Sequence, residues 1–510
     1  MGSSFRPKGN GTLGANSKRR DVPRGVLSTV WLTQLVYSPA QPAQRPPSAS
    51  PVPGEAVTIP PMNAPVTTDF NHPETLDRIA CETLEMANAG GPAEVEIGAS
   101  AGEGFSISVR GGAAETVEYE RDKSLAVTIY LDGQKGSATT SDFSSKALAE
   151  TVAAARRIAE HGESDPYAGL VEHKFLATAV PDLDLDHPWD MDANAAIKLA
   201  IDCERAALDF DSRVNQSDGA SINRYRGTRA YANSHGFHAA YRGTRHGISQ
   251  VMIGSDESGA MQRGYWFANG RDAAQFEAVE SIGLRAAERT AAKIGARKIA
   301  TTEMPVLFEP RLAAGLIGHL LGAISGGAQY RKASFLLDAL GEAVLPAQLD
   351  LVERPHIHGA TASAPFDGDG VATFDKTIVE GGRLASYILS GYSARRLGLE
   401  PTGNAGGTHN LLLTPGTRSF EEIIASLDRA LLVTDLMGFG VNAVTGDYSR
   451  GASGFLVENG EIAYPVEEIT IAGNLKDILL GIVEVGADVD NSLSLRTGSI
   501  LVDRLAIAGN

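Results

Sequence analysis

A chain of 510 residues, 43% hydrophobic and 21% charged, is long enough for two or three domains, each burying its own core. Its formal charge of −17 would repel a polyphosphate backbone, which sets nucleic acid aside as a partner. Cys81 and Cys203 form no CxxC pair and exclude a disulfide scaffold, and no apolar run reaches the roughly 18–20 residues of a membrane span. These features together point to a cytoplasmic protein with no membrane partner.

Residues 1–61 carry seven Lys/Arg against two Asp/Glu, so the excess of acid lies beyond them. Lys18-Arg19-Arg20 precedes an apolar run from Val26 to Val36, as in a signal peptide, but Ser, Thr and Gln break that run and it starts late. Ser38 to Pro61 is rich in Pro, Ala and Ser and cannot build a core. The stretch reads as a disordered extension, or as sequence upstream of a true start at Met62, in preference to an export signal.

Residues 62–180 predict a first α+β unit. Leu76, Ile79, Ala80, Leu84 and Ala87 recur at helical spacing between Pro73 and Ala89, and Gly90-Gly91 ends the run. Val95, Ile97, Phe105, Ile107, Val109, Val117 and Tyr119 then alternate as strands do, with hairpin turns at Gly111-Gly112 and Asp132-Gly133. A helix over Ser144–His161 closes the unit. Residues 181–298 repeat the layout after an acidic, proline-bounded linker, Val180 to Pro188. A helix over Asp192–Phe210 leads to strands at Ala220–Asn233, Phe237–Ile253 and Met261–Ala268, and a helix over Ala274–Ile294 follows. Residues 299–510 predict a mainly β domain of two packed or curled antiparallel sheets. Pro305–Phe308 is a buried strand, Pro310 opens an apolar helix to about Ile324, and Glu380-Gly-Gly and Asn459-Gly460 mark hairpins.

The densest stretch runs from Thr434 to Val466 and holds the polar, glycine-rich loop Thr445 to Gly451 and the Asn459-Gly460 turn. With Tyr392–Gly398, Thr402–Gly407 and Ile469–Lys476, it makes four blocks in a fixed order. On these blocks the chain resembles the PmbA (TldE) branch of the TldD/PmbA family, from about Leu76 to the C-terminus. The resemblance implies a subunit of a bacterial or archaeal zinc metalloprotease acting on unfolded or linear peptides.

In the zinc subunits of that family, HExxxH on a helix supplies two imidazoles and a general base, and a later Cys adds a ligand. The helix in the corresponding place here is Gly315-Leu-Ile-Gly-His319-Leu320-Leu-Gly-Ala-Ile324. His319 falls at the first ligand place, Leu320 at the glutamate and Ile324 at the second histidine, and no Cys follows position 203. The resemblance therefore implies no cofactor in this chain and zinc in a TldD-like partner. By itself His319 reads as a partly buried helix residue with a hydrogen-bonded ring.

Other candidates are weaker. His356 and His358 lack acidic or thiol companions at ligand spacing, His235 and His238 flank Gly236 in a turn, and Ser393 and Ser449 lie in no GxSxG. Gly403–Gly407 lacks the Lys-Ser/Thr ending of a phosphate loop. What remains is a polar, glycine-shaped set: Tyr392, Arg395, Asn404, Gly406, Gly407, His409, Asp447, Tyr448 and Arg450. Such residues suit peptide capture or contact with a partner subunit, or else shape internal loops of the β domain. The reading is an α+β subunit of a heteromeric protease. Its rivals are a stand-alone peptide-binding scaffold and an autonomous hydrolase with an unrecognised site.

Deleting residues 1–61 is expected to leave expression, melting and assembly unchanged. Thermal denaturation of the chain starting at Met62 checks this, and a fall of several degrees would count against it.

Overall fold

The computed structural model describes residues 69–509, so the extension read over residues 1–61 and the start read at Met62 lie outside the described residues. The first unit contains α1 (Pro73–Asn88), β1 (Glu94–Arg110), β2 (Ala113–Leu131), β3 (Gln134–Thr140) and α2 (Ser145–Glu160). The second contains α3 (Ala193–Leu208), β4 (Gln216–Asn233), β5 (His238–Ser255), β6 (Met261–Gly270) and α4 (Val279–Lys293). Local chemistry sets these limits. Ser144 and Asp192 cap α2 and α3 by accepting hydrogen bonds from Ala147 N and Ala195 N. Gly111 and Gly112 take φ of 62° and 76°, and Asp132 and Gly133 take 49° and 82°, as tight hairpin turns require. The last helix starts later than its pattern predicts. Asp272 caps a short 3₁₀ turn over Ala273–Gln275, and Phe276 then turns its ring edge to Trp189.

The two units share a single six-stranded sheet in the order β3-β2-β1-β4-β5-β6. β1 and β4 pair antiparallel from Glu96 with Asn233 to Val109 with Ala220. Every second residue of β1 faces the helices. Val95, Ile97 and Ala99 pack with Leu76 and Ile79 of α1 and Leu148 of α2. Phe105, Ile107 and Val109 pack with Ala196 of α3 and Ile282 of α4. The segment read as a linker is a strap. Leu183 and Leu185 are buried, and the Asp186 carboxylate binds the guanidinium groups of Arg226 and Arg242. Burial alone would raise its pKa, but those two partners hold it below the usual range.

The third part begins with β7 (Thr302–Phe308), α5 (Pro310–Ala323) and α6 (Gly326–Tyr330). A five-stranded sheet follows from β8 (Leu351–Glu353), β9 (Lys376–Glu380), β10 (Arg383–Leu384), β11 (Leu411–Leu413) and β16 (Leu495–Arg496), with α7 (Gly391–Leu397) between β10 and β11. The other sheet uses β7, β12 (Arg429–Met437), β13 (Asp447–Glu458), β14 (Glu461–Asn474), β15 (Ile482–Val485) and β17 (Ile500–Ala508), with α8 (Phe420–Ala425) and α9 (Leu475–Leu480) beside it. Its order is β14-β13-β12-β7-β17-β15, and β14 also pairs with β17, so the sheet curls into a closed barrel. The expected curling is present, but the strands are not all antiparallel: β7 with β12 and β11 with β16 run parallel. A long crossover holding α5 and four of the five strands of the small sheet joins β7 to β12, and parallel pairing requires such a connection.

Ion pairs fasten the second unit to the third part. Arg289 binds Glu309 and Lys293 binds Asp435 across the boundary, and Arg311, paired with Asp490 inside the third part, stacks 3.8 Å from the ring centre of Trp266 in the second unit.

α3 and α4 approach closely at Gly283, where a Cβ would lie 2.1 Å from the Cys203 carbonyl oxygen. Gly283→Ala is expected to cost about 1–3 kcal/mol by forcing the two helices apart. Urea unfolding of the variant checks this, and an unchanged midpoint would contradict the packing.

Candidate functional site

The structure distributes the nine polar positions and His319 over three places. Tyr392 and Arg395, on α7, form a clamp. Tyr392 donates its hydroxyl to Asp165 at 2.7 Å. Arg395 spends its guanidinium on the carbonyls of Tyr167, Leu170 and Gly169 at 2.7, 3.0 and 2.7 Å. These bonds tie the third part to the segment after α2 and leave little of either side chain for a ligand.

The second place is a buried carboxylate. Glu353 of β8 is fully buried opposite Lys376 of β9, with Nζ 2.6 Å from Oε2. Its other oxygen accepts from Asn404 Nδ2 at 2.9 Å, His409 N at 2.5 Å and His409 Nδ1 at 3.0 Å. Burial pushes the Glu353 carboxyl up, but the hydrogen bond and charge of His409 and the charge of Lys376 outweigh it and hold the group at about 2. Gly406 and Gly407 take φ of 100° and 124°, and Gly407 N donates to Asn404 O, so the loop curls around this carboxylate. Asn404 and His409 are internal, at 4% and 7% exposure.

The third place is the barrel rim. Tyr448 and Arg450, two apart on β13, lie on its core-facing row with Ala452. The His319 ring, on α5, meets the Tyr448 ring edge to face at 5.8 Å between centres. Among the described residues none of these three side chains has a hydrogen-bond or ion-pair partner, and the Arg450 Nε is buried without one. The ring of His319 is therefore held by packing and not by the hydrogen bond its sequence context suggests. Burial, then the Arg450 charge, lower the His319 pKa, so the imidazole is neutral near pH 7. Burial raises the Tyr448 phenol to about 12, with Arg450 pulling the other way. Asp447 points elsewhere, exposed and bonded to Thr445 Oγ1 at 2.6 Å.

The remaining histidines separate. His356 meets Thr373 Oγ1 at 2.9 Å and His235 meets Val171 O at 2.9 Å. His238 approaches Asp77 at 3.0 Å, with Cys81 beside them; the donor atoms of these three lie within 4.8 Å of one another.

Comparison with known proteins places this architecture. Three family models match in order: the PmbA/TldA metallopeptidase domain 1 over residues 95–159, its central domain over 186–294 and its C-terminal domain over 301–509. Metalloprotease PmbA of Escherichia coli O157:H7 is 44% identical over 434 residues, 85% of this chain and 96% of that protein. The chain belongs to the PmbA/TldD metallopeptidase family, in its PmbA branch. The Metalloprotease PmbA homolog of Haemophilus influenzae is 43% identical over 84% of this chain and 94% of its own length. In structure, TldE from Thermococcus kodakarensis superimposes with a TM-score of 0.71 at 22% identity, covering 86% of this chain and 99% of that one, a likeness of fold.

Within this PmbA/TldD fold, sequence reasoning missed Glu353 and Lys376. Their strands are three and five residues long and carry no motif, and Asn404 and His409 reach Glu353 only through the β8–β11 pairing. Asp77 and Cys81 were equally hidden, because α1 meets β5 only in the folded chain.

Replacing Glu353 by Gln leaves Lys376 charged in the core and is expected to cost about 3–5 kcal/mol at neutral pH. A depressed folded-state pKa means the carboxylate stabilises above its usual 4.5 and loses that contribution as pH falls towards about 2. The gap between wild type and Glu353→Gln in denaturant unfolding should therefore close over that window; a gap that persists at its acid end would refute the assignment.

Proposed function

We propose that this chain is the non-zinc subunit of a PmbA/TldD-type metalloprotease. It pairs in the cytoplasm with a TldD-like zinc subunit and presents unfolded or linear peptides for cleavage. The observation that carries the reading is the environment of His319. Leu320 and Ile324, at the other two positions of the zinc motif, are fully buried in the core, and α5 ends at Ala323. The neighbour of the imidazole is the Arg450 guanidinium, whose charge opposes a metal cation. One imidazole, two buried aliphatic side chains and a cation do not fit a zinc ion, which takes at least three donors from protein. The metalloprotease names of the relatives supply the chemistry, and the zinc subunit would supply metal and general base. Among the described residues no helix is long and apolar enough to cross a membrane.

The lone chain is expected to cleave no peptide. Mixed with a TldD-like subunit, it should form a complex that cuts unstructured peptides and is stopped by chelators. Size-exclusion chromatography with peptide cleavage and metal content measured on each peak tests this. A chelator-sensitive peptidase in the lone-chain peak would overturn the assignment.

A further inference from the structure

Folded proteins rarely leave a buried polar atom without a partner, and the Arg450 Nε is one, beside two rings whose polar atoms have no partner among the described residues. Tyr448 is 2% exposed and half-buried Arg450 follows it on the core-facing row of β13, yet neither makes a side-chain hydrogen bond among the described residues. His319 stands against Tyr448 and is likewise without one. Among the described residues no carboxylate pairs with Arg450, and its guanidinium is the charge that acts on both His319 and Tyr448. In a chain with 62 Asp and Glu, a half-buried guanidinium with no acidic partner is a cation left open.

The register shows where it opens. β12 ends at Met437, opposite Gly451, so the chain beside Arg450 is no longer strand but the loop 438–446. That loop folds back on β13 through Ser449 N to Gly440 O at 2.7 Å and Asn442 N to Asp447 O at 2.8 Å. Its Phe439 is 93% exposed, and Met437 and Val444 are more than half exposed. A cation with a phenol donor lies within the rim, and an apolar aromatic tip lies outside it.

We infer that the rim formed by His319, Tyr448 and Arg450 binds a carboxylate of the peptide substrate, with the neighbouring side chain of that peptide resting against Phe439. The inference rests on the peptide-handling role proposed above and names the group recognised. A planar guanidinium takes a carboxylate through two parallel hydrogen bonds, and the phenol adds a third donor. The carboxylate can be the C-terminus or an Asp or Glu side chain.

Fluorescence anisotropy on the lone full-length chain tests this with three labelled unstructured peptides. One has a free C-terminus and no acidic residue, one is amidated with no acidic residue, and one is amidated with a single internal Glu. At least one carboxylate peptide should bind about tenfold or more tighter than the neutral amide, and the arm that does so identifies the source. Arg450→Gln should abolish that preference while leaving the melting temperature unchanged or raised, since the native guanidinium is unsatisfied. Arg450→Lys, which keeps charge but not the fork, should retain part of the preference, and it decides the matter if the Gln variant fails to fold. Equal binding of all three peptides, a carboxylate preference surviving in Arg450→Gln, or an undiminished preference in Arg450→Lys overturns the inference. If the mixed zinc complex still cleaves peptide in that case, the proposed function stands without it.

Discussion

The closure of β14 on β17, through the pairs Thr470 with Ala508, Ile471 with Ile507 and Ala472 with Ala506, is the contact on which the site depends. These short-range backbone bonds convert a twisted sheet into a barrel and remove two free edges. An interior row follows, and Tyr448, Arg450 and Ala452 occupy it on β13. On an open sheet Arg450 would lie in water and its lack of a partner would mean nothing. Inside a rim, beside the fully buried Ile471 in register, it is a charge the fold holds without compensation.

The two polar centres of the third part make opposite use of burial. Glu353 is wholly enclosed, pairs with Lys376 and accepts hydrogen bonds from Asn404 and two groups of His409. Both carboxylate oxygens are engaged, so the network holds the small sheet to its loop. The rim differs: its three polar side chains have no hydrogen-bond or ion-pair partner among the described residues. Structural polar clusters are closed in this way, and recognition sites are left incomplete.

The remaining polar contacts hold the parts to one another. Arg395, Tyr392 and Asp186 bind the connecting segments, and the Arg289 and Lys293 ion pairs with the stacking of Arg311 on Trp266 bind the second unit to the third part. Several of these are half-buried pairs with two or more hydrogen bonds, where geometry is specific and solvent screening is reduced. They fix the orientation of the parts more than they stabilise any one of them.

Local chemistry was legible in the sequence. Helix spacing, the Gly111-Gly112, Asp132-Gly133 and Asn459-Gly460 turns and the family blocks all act over a few residues, so α+β class, most elements and PmbA membership could be read directly. The fusion of two units into one sheet could not, because β1 and β4 carry the same alternation whether each ends its own sheet or joins the other. The nine polar positions looked like one surface because glycine and charge mark loops without saying which loops meet. Tertiary pairing alone decided that Arg395 is a clamp, that Asn404 and His409 serve a buried Glu353, and that His319 meets Tyr448 and Arg450. Each of those contacts joins residues far apart in the chain, and no spacing rule extends that far.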